Sequence, residues 1–306
     1  MSRVRLALLS TAAINRAILG ARADDAPFEV VAVASRDAGR AHAYAQEHGI
    51  ARSHGSYAAL LADPDVDAVY VALPNALHHE WTMRALEAGK HVICEKPYTR
   101  HPDEVEEAWA RAESDGLVLT EAYMWRHSAQ TALLRELLPQ VGTVRSVHAT
   151  FSFVLDRDWD VRLDAGLGGG SLLDLGCYCI SACRLVAGEP ERVHGERYVG
   201  RGGVDDAFAA VLRFPNDVLG TFQCSFTSGP ANRIEILGSD GSIVVPQAFV
   251  NPPGIVVLNG GEHRVDPGNH YRAELDDFCA AIRGERGVLN DRAEMLGQAR
   301  VLDALL

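Results

Sequence analysis

Long apolar runs are scarce in this chain of 306 residues. The longest plain runs, residues 66–74 and 30–34, fall far short of the ~20 residues a membrane-spanning helix needs, so no membrane partner is expected. The leading stretch, residues 1–19, is basic and then apolar, as a secretory leader would be. Its apolar part is short, however, and runs into a polar turn rather than a small-residue cleavage site. Residues 4–9 therefore read as a first strand and the chain as cytoplasmic. Paired CxxC spacing is absent as well. Cys94, Cys177, Cys179, Cys183, Cys224 and Cys279 lack His or acidic partners at ligand intervals, so they are expected to be small core residues, with no metal. Positive charge is in deficit: 29 Lys and Arg against 41 Asp and Glu give a net charge of −12, which argues against a nucleic-acid partner. A phosphate-bearing small molecule stays allowed, because it needs only local donors.

What is present is ordinary globular material, 47% hydrophobic and 23% charged, enough for full-sized cores and, at this length, two domains. Through the first third, β-prone runs at 4–9, 28–35, 68–73, 91–94 and 117–121 alternate with helical patterns at 12–23, 38–48, 57–62, 77–88 and 102–114. Strands apolar throughout and separated by helices predict a parallel sheet covered on both faces, with a ligand site beyond the strands' carboxyl ends. The pattern changes after Trp125. A helix at 129–138 precedes an alternating strand at 144–154, a glycine-rich stretch and a strongly apolar helix at 171–186. Strand-like runs follow at 192–199, 206–214, 218–226, 233–237, 242–245 and 255–258, and helices at 271–283 and 292–305 close the chain. The expected fold is α/β: a doubly wound Rossmann domain over 1–122 and an α+β domain over 123–306 built on a large, mostly antiparallel open sheet.

A dinucleotide site needs a tight turn after the first strand, with backbone N–H groups facing the pyrophosphate. Glycine is missing here too. The turn reads Ser10, Thr11, Ala12, Ala13, Ile14, Asn15, so it is either a phosphate turn of small residues or simply a cap for the next helix. The second strand ends at Ser35 and Arg36, where an NAD-selective site would place a carboxylate for the ribose 2′-hydroxyl. An arginine there suits a 2′-phosphate, so NADP is expected over NAD.

Five segments carry a family resemblance: the first strand and turn; Val69–Asn75 with His78; residues 89–97, containing Glu95-Lys96-Pro97; residues 121–126; and residues 168–178, GGGSLLDLGCY. Together they resemble the Gfo/Idh/MocA oxidoreductases, and within them the branch with tyrosine four residues after the aspartate, where many members carry histidine. That branch includes dimeric dihydrodiol dehydrogenase, NADP-dependent xylose dehydrogenase and sugar ketoreductases. The resemblance implies cofactor contacts from Leu73, Pro74, Asn75, His78, Glu95, Lys96, Trp125 and Arg126, and from Arg162, with Trp159 nearby. It also implies a homodimer or homotetramer.

Hydride transfer to a carbonyl leaves charge on oxygen, which a phenol can neutralise if a cation lowers its pKa. Lys96 closes the fifth strand, and Pro97 disfavours an α conformation at Lys96. Asp174 and Tyr178, four apart, share a helix face. The expectation is Tyr178 as proton donor and acceptor, Lys96 tuning it and binding the substrate oxygen over the nicotinamide, and Asp174 orienting hydroxyls or the lysine. The glycines before the helix are expected to admit a ligand closely. The expected activity is an NADP-dependent aldose or dihydrodiol dehydrogenase acting on a sugar-like, polyhydroxylated substrate. A nucleotide-sugar ketoreductase and a non-catalytic NADP-binding regulator are the alternatives.

Overall fold

The structure, a computed structural model, describes residues 3–157 and 159–306; Met1 and Ser2, which open the stretch weighed as a leader, lie outside the described residues. The backbone divides into two units, Met1–Met124 with Tyr271–Leu296, and Trp125–His270 with Gly297–Leu306.

In the first unit, β1 (Val4–Leu9), β2 (Phe28–Ala34), β3 (Arg52–His54), β4 (Ala68–Val71), β5 (His91–Glu95) and β6 (Leu119–Ala122) form a parallel sheet of order β3-β2-β1-β4-β5-β6. Helices α1 (Asn15–Gly20), α2 (Ala38–His48), α3 (Tyr57–Leu61), α4 (His78–Glu87) and α5 (Pro102–Ser114) connect the strands. The β4 residues Ala68, Val69, Tyr70 and Val71 are wholly buried, as a strand covered on both faces must be. Strand order reverses between β1 and β4, so the carboxyl ends of these two strands flank the crevice where such sheets bind ligands. The first helix is shorter than its pattern suggests. Residues 12–14 spend their carbonyls on tight i→i+3 bonds (Asn15 N to Ala12 O, 3.1 Å; Arg16 N to Ala13 O, 3.2 Å), which form a turn and leave only Asn15–Gly20 helical.

The domain boundary needs correction. Patterning alone assigns everything after residue 122 to the second domain, whereas Tyr271–Leu296 belongs to the first unit. There Leu275, Phe278 and Cys279 of α8 (His270–Ile282) join the core of Leu6, Leu8, Val30, Tyr70 and Ile93. The physical reason is that a parallel sheet needs helices on both faces, and α8 supplies part of that cover. The segment after α8 is tied to β6, where Asn290 Nδ2 donates to Glu121 O (3.0 Å) and Thr120 Oγ1 donates to Asn290 O (3.1 Å).

In the second unit, α6 (Ala129–Leu137) leads to β7 (Val144–Ser152), and α7 (Cys177–Ala187) packs on β7 and on β10 (Leu219–Ser225). With β8 (Arg192–Val199), β9 (Asp205–Arg213), β11 (Ala231–Gly238), β12 (Ser242–Pro246), β13 (Ile255–Leu258) and β14 (Gly261–Arg264), these strands form an eight-stranded sheet of order β14-β13-β12-β11-β7-β10-β9-β8. Its one parallel pairing is β7 with β10. Phe208, Leu212, Phe222, Cys224, Ile234 and Ile236 fill the buried face, while Val211, Leu219 and Leu237 stand on the exposed one. Patterning stops at β13, because the residues of β14, Gly-Glu-His-Arg, are all exposed and carry no apolar signal. Helix α9 (Arg292–Leu305) begins in the first unit and ends in the second. All six cysteines are buried free thiols. The span Ala165–Ala187, not evident from run length, is long and apolar enough for a bilayer, yet 72% of its most apolar window is buried in the fold.

Candidate active site

On the first unit, the strand ends present most of the expected cofactor residues. Ser10, just past β1, holds φ at 149°, a backbone region that favours glycine. Its hydroxyl offsets that cost by donating to Ala72 O (2.7 Å) and accepting from Ala12 N (3.1 Å), which ties the end of β1 to that of β4. Asn15 is fully buried, and its amide donates to Ser10 O (2.8 Å). Ser10 and Asn15, both expected as direct cofactor contacts, brace the turn through the Ser10 hydroxyl and the Asn15 Nδ2, while Asn15 Oδ1 is buried with no hydrogen-bond partner among the described residues. Among the described residues, the N–H groups of Thr11, Ala13 and Ile14 make no bond within the turn, and none of the three is buried.

At the end of β2, Ser35 is buried, and its hydroxyl accepts from Asp37 N (3.3 Å). Arg36 is exposed. The Asp37 carboxylate caps α2 by accepting from Arg40 N (2.6 Å), so the acid nearest this strand end is already engaged. Arg36 and Arg40 both lie near the Tyr57 hydroxyl, whose pKa burial pushes up against their opposing charges. Arg40 was missed from sequence. Its only signal was a position one helical turn beyond Arg36.

His78, expected along the cofactor, is instead wholly buried. Its Nδ1 lies 2.8 Å from Pro97 O and its Nε2 2.8 Å from Leu73 O, so the ring clamps the segments after β4 and β5. Burial pushes the imidazole pKa down, opposed by the two carbonyls. Leu73 is buried, while Pro74 and Asn75 are partly open at the same strand end. Glu95 closes β5 and accepts from the phenol of Tyr70 and from Lys96 N (3.3 Å). Lys96, half-buried, follows and leads through a cis peptide into Pro97.

On the second unit, the apolar helix expected at 171–186 is not uniform. It opens as a π-helical turn, Leu172–Gly176, and continues as α7. Asp205 grips its start, accepting from Ser171 Oγ and Leu172 N at 2.7 Å each, while burial pushes the Asp205 carboxyl pKa up. Such π turns recur at functional sites, and this one carries Asp174 and leads directly to Tyr178. The glycines before it, expected to admit a ligand, let the chain itself pass closely. A Cβ on Gly169 would fall 2.4 Å from Arg162 O, and one on Gly170 2.2 Å from Asp205 Oδ1.

Arg162 Nε donates to Asp174 Oδ2 (2.6 Å) and its Nη1 to Asp160 Oδ1 (3.2 Å). Its pKa is raised, chiefly by Asp174. Arg162, expected at the cofactor, is held between two carboxylates and fixes Asp174. Tyr178 is 4% exposed and is walled by Phe151 and Phe249, ring centroids 5.4 and 5.6 Å away. Trp125, expected at the cofactor, is wholly buried and packs edge-on to Phe249 at 5.4 Å. Arg126 is buried and donates to Ser181 Oγ (3.3 Å), with its guanidinium 5.8 Å from the Trp125 ring. Trp159 is 72% exposed. Asp205 and Phe249 were not foreseen. An acid at a strand start or in a loop carries no periodic signal.

Comparison with known proteins places this geometry. The oxidoreductase family with an NAD-binding Rossmann fold matches residues 11–123, and the GFO/IDH/MocA C-terminal domain matches residues 133–244. The chain is 38% identical over 287 residues to an NADP(+) D-xylose 1-dehydrogenase of Haloferax volcanii, covering 90% of this chain and 88% of that protein. It is 38% identical over 245 residues to the trans-1,2-dihydrobenzene-1,2-diol dehydrogenase of Sus scrofa, covering 78% and 72%. A 3-ketoreductase from Actinomadura kijaniata, crystallised with NADP and TDP-benzene, superposes with a TM-score of 0.94 at 31% identity, covering 99% of this chain and 97% of that one.

Proposed function

The chain belongs to the Gfo/Idh/MocA oxidoreductase family, and we propose that it transfers a hydride between NADP and a sugar or similar polyhydroxylated alcohol or carbonyl, as an aldose or dihydrodiol dehydrogenase does. The observation that carries this reading is the constellation on the second unit. There a buried phenol, Tyr178, follows a carboxylate, Asp174, that Arg162 holds fixed. Relatives that act on D-xylose and on a dihydrodiol support the substrate class.

The residues at the strand ends fit the cofactor. The Ser10 turn, in a conformation glycine would adopt, leaves the N–H groups of Thr11, Ala13 and Ile14 for a pyrophosphate. Arg36 and Arg40 suit a 2′-phosphate, and Asp37, bound as a cap, does not oppose it. Leu73, Pro74, Asn75 and Glu95 would border the remainder of the cofactor. When bound, NADP supplies or accepts the hydride at its nicotinamide.

The protein's own part is proton movement and placement. In reduction the Tyr178 hydroxyl gives its proton to the carbonyl oxygen, and in oxidation it takes one from the alcohol. Lys96, half-buried just after β5, supplies an ammonium at the strand end where the nicotinamide would lie. Asp174 accepts from a substrate hydroxyl. We further propose that the protein works in the cytoplasm and as a homo-oligomer, the latter supported by Tyr198, Val211, Leu219 and Leu237 on the open face of the eight-stranded sheet.

The test is a panel of aldoses, trans-dihydrodiols and nucleotide-linked keto sugars followed at the NADPH absorbance. Turnover of the first two groups supports the dehydrogenase reading. Turnover of the keto sugars alone favours a ketoreductase, in line with the Actinomadura neighbour. Tight NADPH binding without any turnover would make the chain a cofactor-binding regulator.

A further inference from the structure

The π turn ahead of α7 is anchored at both ends. Within it, Cys177 N donates to Leu172 O, five positions back, where an α-helix reaches only four. Just before it, Asp174 N still reaches Gly170 O, four back, at 3.1 Å. The extra residue is therefore confined to Leu172–Gly176. Regular winding would absorb it by turning the residues ahead of α7 around the axis by up to one helical step, about 100°. Asp174 lies inside that stretch and Tyr178 follows it, so the winding bears directly on how the two side chains stand to one another.

At the start the anchor is Asp205, the first residue of β9. It is buried, and a single carboxylate oxygen, Oδ2, accepts from both Ser171 Oγ and Leu172 N at 2.7 Å. Hydrogen bonds to a carboxylate are about twice as strong as neutral ones. Residue 170 suits glycine alone, with φ at 119° and a Cβ there striking the Asp205 carboxylate. At the far end the anchor is Gln298 of α9, also buried, whose Nε2 donates to Cys177 O at 2.9 Å. Gln298 is itself fixed, because its Oε1 accepts from Arg184 Nη1 (3.3 Å) and Arg184 pairs with Glu189. All of these residues belong to the second unit.

We propose that Asp205 is a positioning residue for proton transfer. By holding Ser171 and Leu172 it keeps the turn π-wound, and that winding sets Asp174 and Tyr178 for the substrate. Buried beneath the turn, Asp205 acts through the chain and touches no ligand. The role rests on the proposed function only in its kinetic consequence; the winding of the turn does not depend on it.

The test uses the full-length enzyme and three variants. Asp205→Asn keeps an oxygen that can accept both bonds, Asp205→Leu has similar bulk and accepts neither, and Ser171→Ala removes one of the two. On an aldose or dihydrodiol that the wild type turns over, Asp205→Leu should lower kcat about 100-fold, as misplaced reacting groups do. Asp205→Asn should stay within about fivefold of wild type, with Ser171→Ala between the two. The Kd for NADPH, titrated by fluorescence, should stay within about twofold throughout. Asp205→Leu added to Tyr178→Phe should cost little more than Tyr178→Phe alone. An unchanged kcat in Asp205→Leu, an equal loss in the Asn and Leu variants, or full additivity with Tyr178→Phe overturns the proposal. Crystal structures of the Asn and Leu variants give a readout without turnover: the first keeps the bond from Cys177 N to Leu172 O and the second loses it. The same π winding in both overturns the proposal as well. If Asp205→Leu does not fold, Ser171→Ala carries the kinetic arm, and a wild-type kcat in that variant is decisive against the role. If the wild type turns over no sugar or diol, the functional reading fails, while the crystal structures still decide whether Asp205 sets the winding.

Discussion

Arg162 meets Asp174 at 2.6 Å through Nε, and the same guanidinium reaches Asp160 at 3.2 Å. One cation is thus flanked by two carboxylates, and the acid one turn before Tyr178 has a fixed direction. Exposed ion pairs contribute little to stability, and with Arg162 40% exposed the value of this one lies in placement. Arg162→Ala is expected to lower kcat/KM by ~10- to 100-fold through misplacement of Asp174, with NADPH affinity unchanged. Steady-state kinetics beside a fluorescence titration checks this. A loss confined to cofactor affinity would instead make Arg162 a cofactor contact.

Tyr178→Phe should lower kcat by ~10²- to 10⁴-fold, the range for loss of a general acid. The ring stays packed on Phe151 and Phe249, so the thermal midpoint should move by at most about 4 °C. Single-turnover NADPH oxidation gives the first quantity and a melting curve the second. If Lys96 acts through the same phenol, Lys96→Ala combined with Tyr178→Phe costs little more than Tyr178→Phe alone. Full additivity would separate their roles.

Arg36 and Arg40 gather near Tyr57 while Asp37 is spent as a helix cap. Each guanidinium that pairs with a 2′-phosphate is worth about 1.5–3 kcal/mol. Arg36→Ala should therefore raise the Kd for NADPH by roughly 10- to 100-fold and leave that for NADH nearly unchanged, as binding titrations with both cofactors would show. A native preference for NADH of tenfold or more would contradict the assignment.

His78 spans Leu73 O and Pro97 O, each at 2.8 Å. His78→Phe fills the space but leaves unmet the carbonyl that the ring N–H serves, at a cost of about 1–3 kcal/mol. Chemical denaturation measures the loss. NADPH affinity should fall with it, because the segments that lead into Asn75 and Lys96 lose their common anchor.

Much of this molecule could be read from residue pattern. Strands such as Ala68–Val71 declare themselves because burial on both faces demands an unbroken apolar run. Tyr178 and Asp174 stood out through spacing and motif. The contacts that determine what those residues do were not readable. Ser10 takes glycine's conformation because its hydroxyl bonds to Ala72, 62 positions away. Asp205 grips the π turn across 33 residues, and Leu275 and Phe278 join the first core only once α8 has returned to it. Local propensity carries no record of partners so distant along the chain, which is also why β14, polar and exposed, escaped notice.

The return of Tyr271–Leu296 to the first unit bears on biosynthesis. A ribosome releases the six strands of the parallel sheet early, but Leu275, Phe278 and Cys279, which seal part of its core, emerge only after the eight-stranded sheet has been made. The first unit must therefore wait, incompletely covered, while the inserted one is translated. A fragment cut at residue 122 would leave the apolar side chains meant for α8 facing water, so it is expected to aggregate when expressed alone.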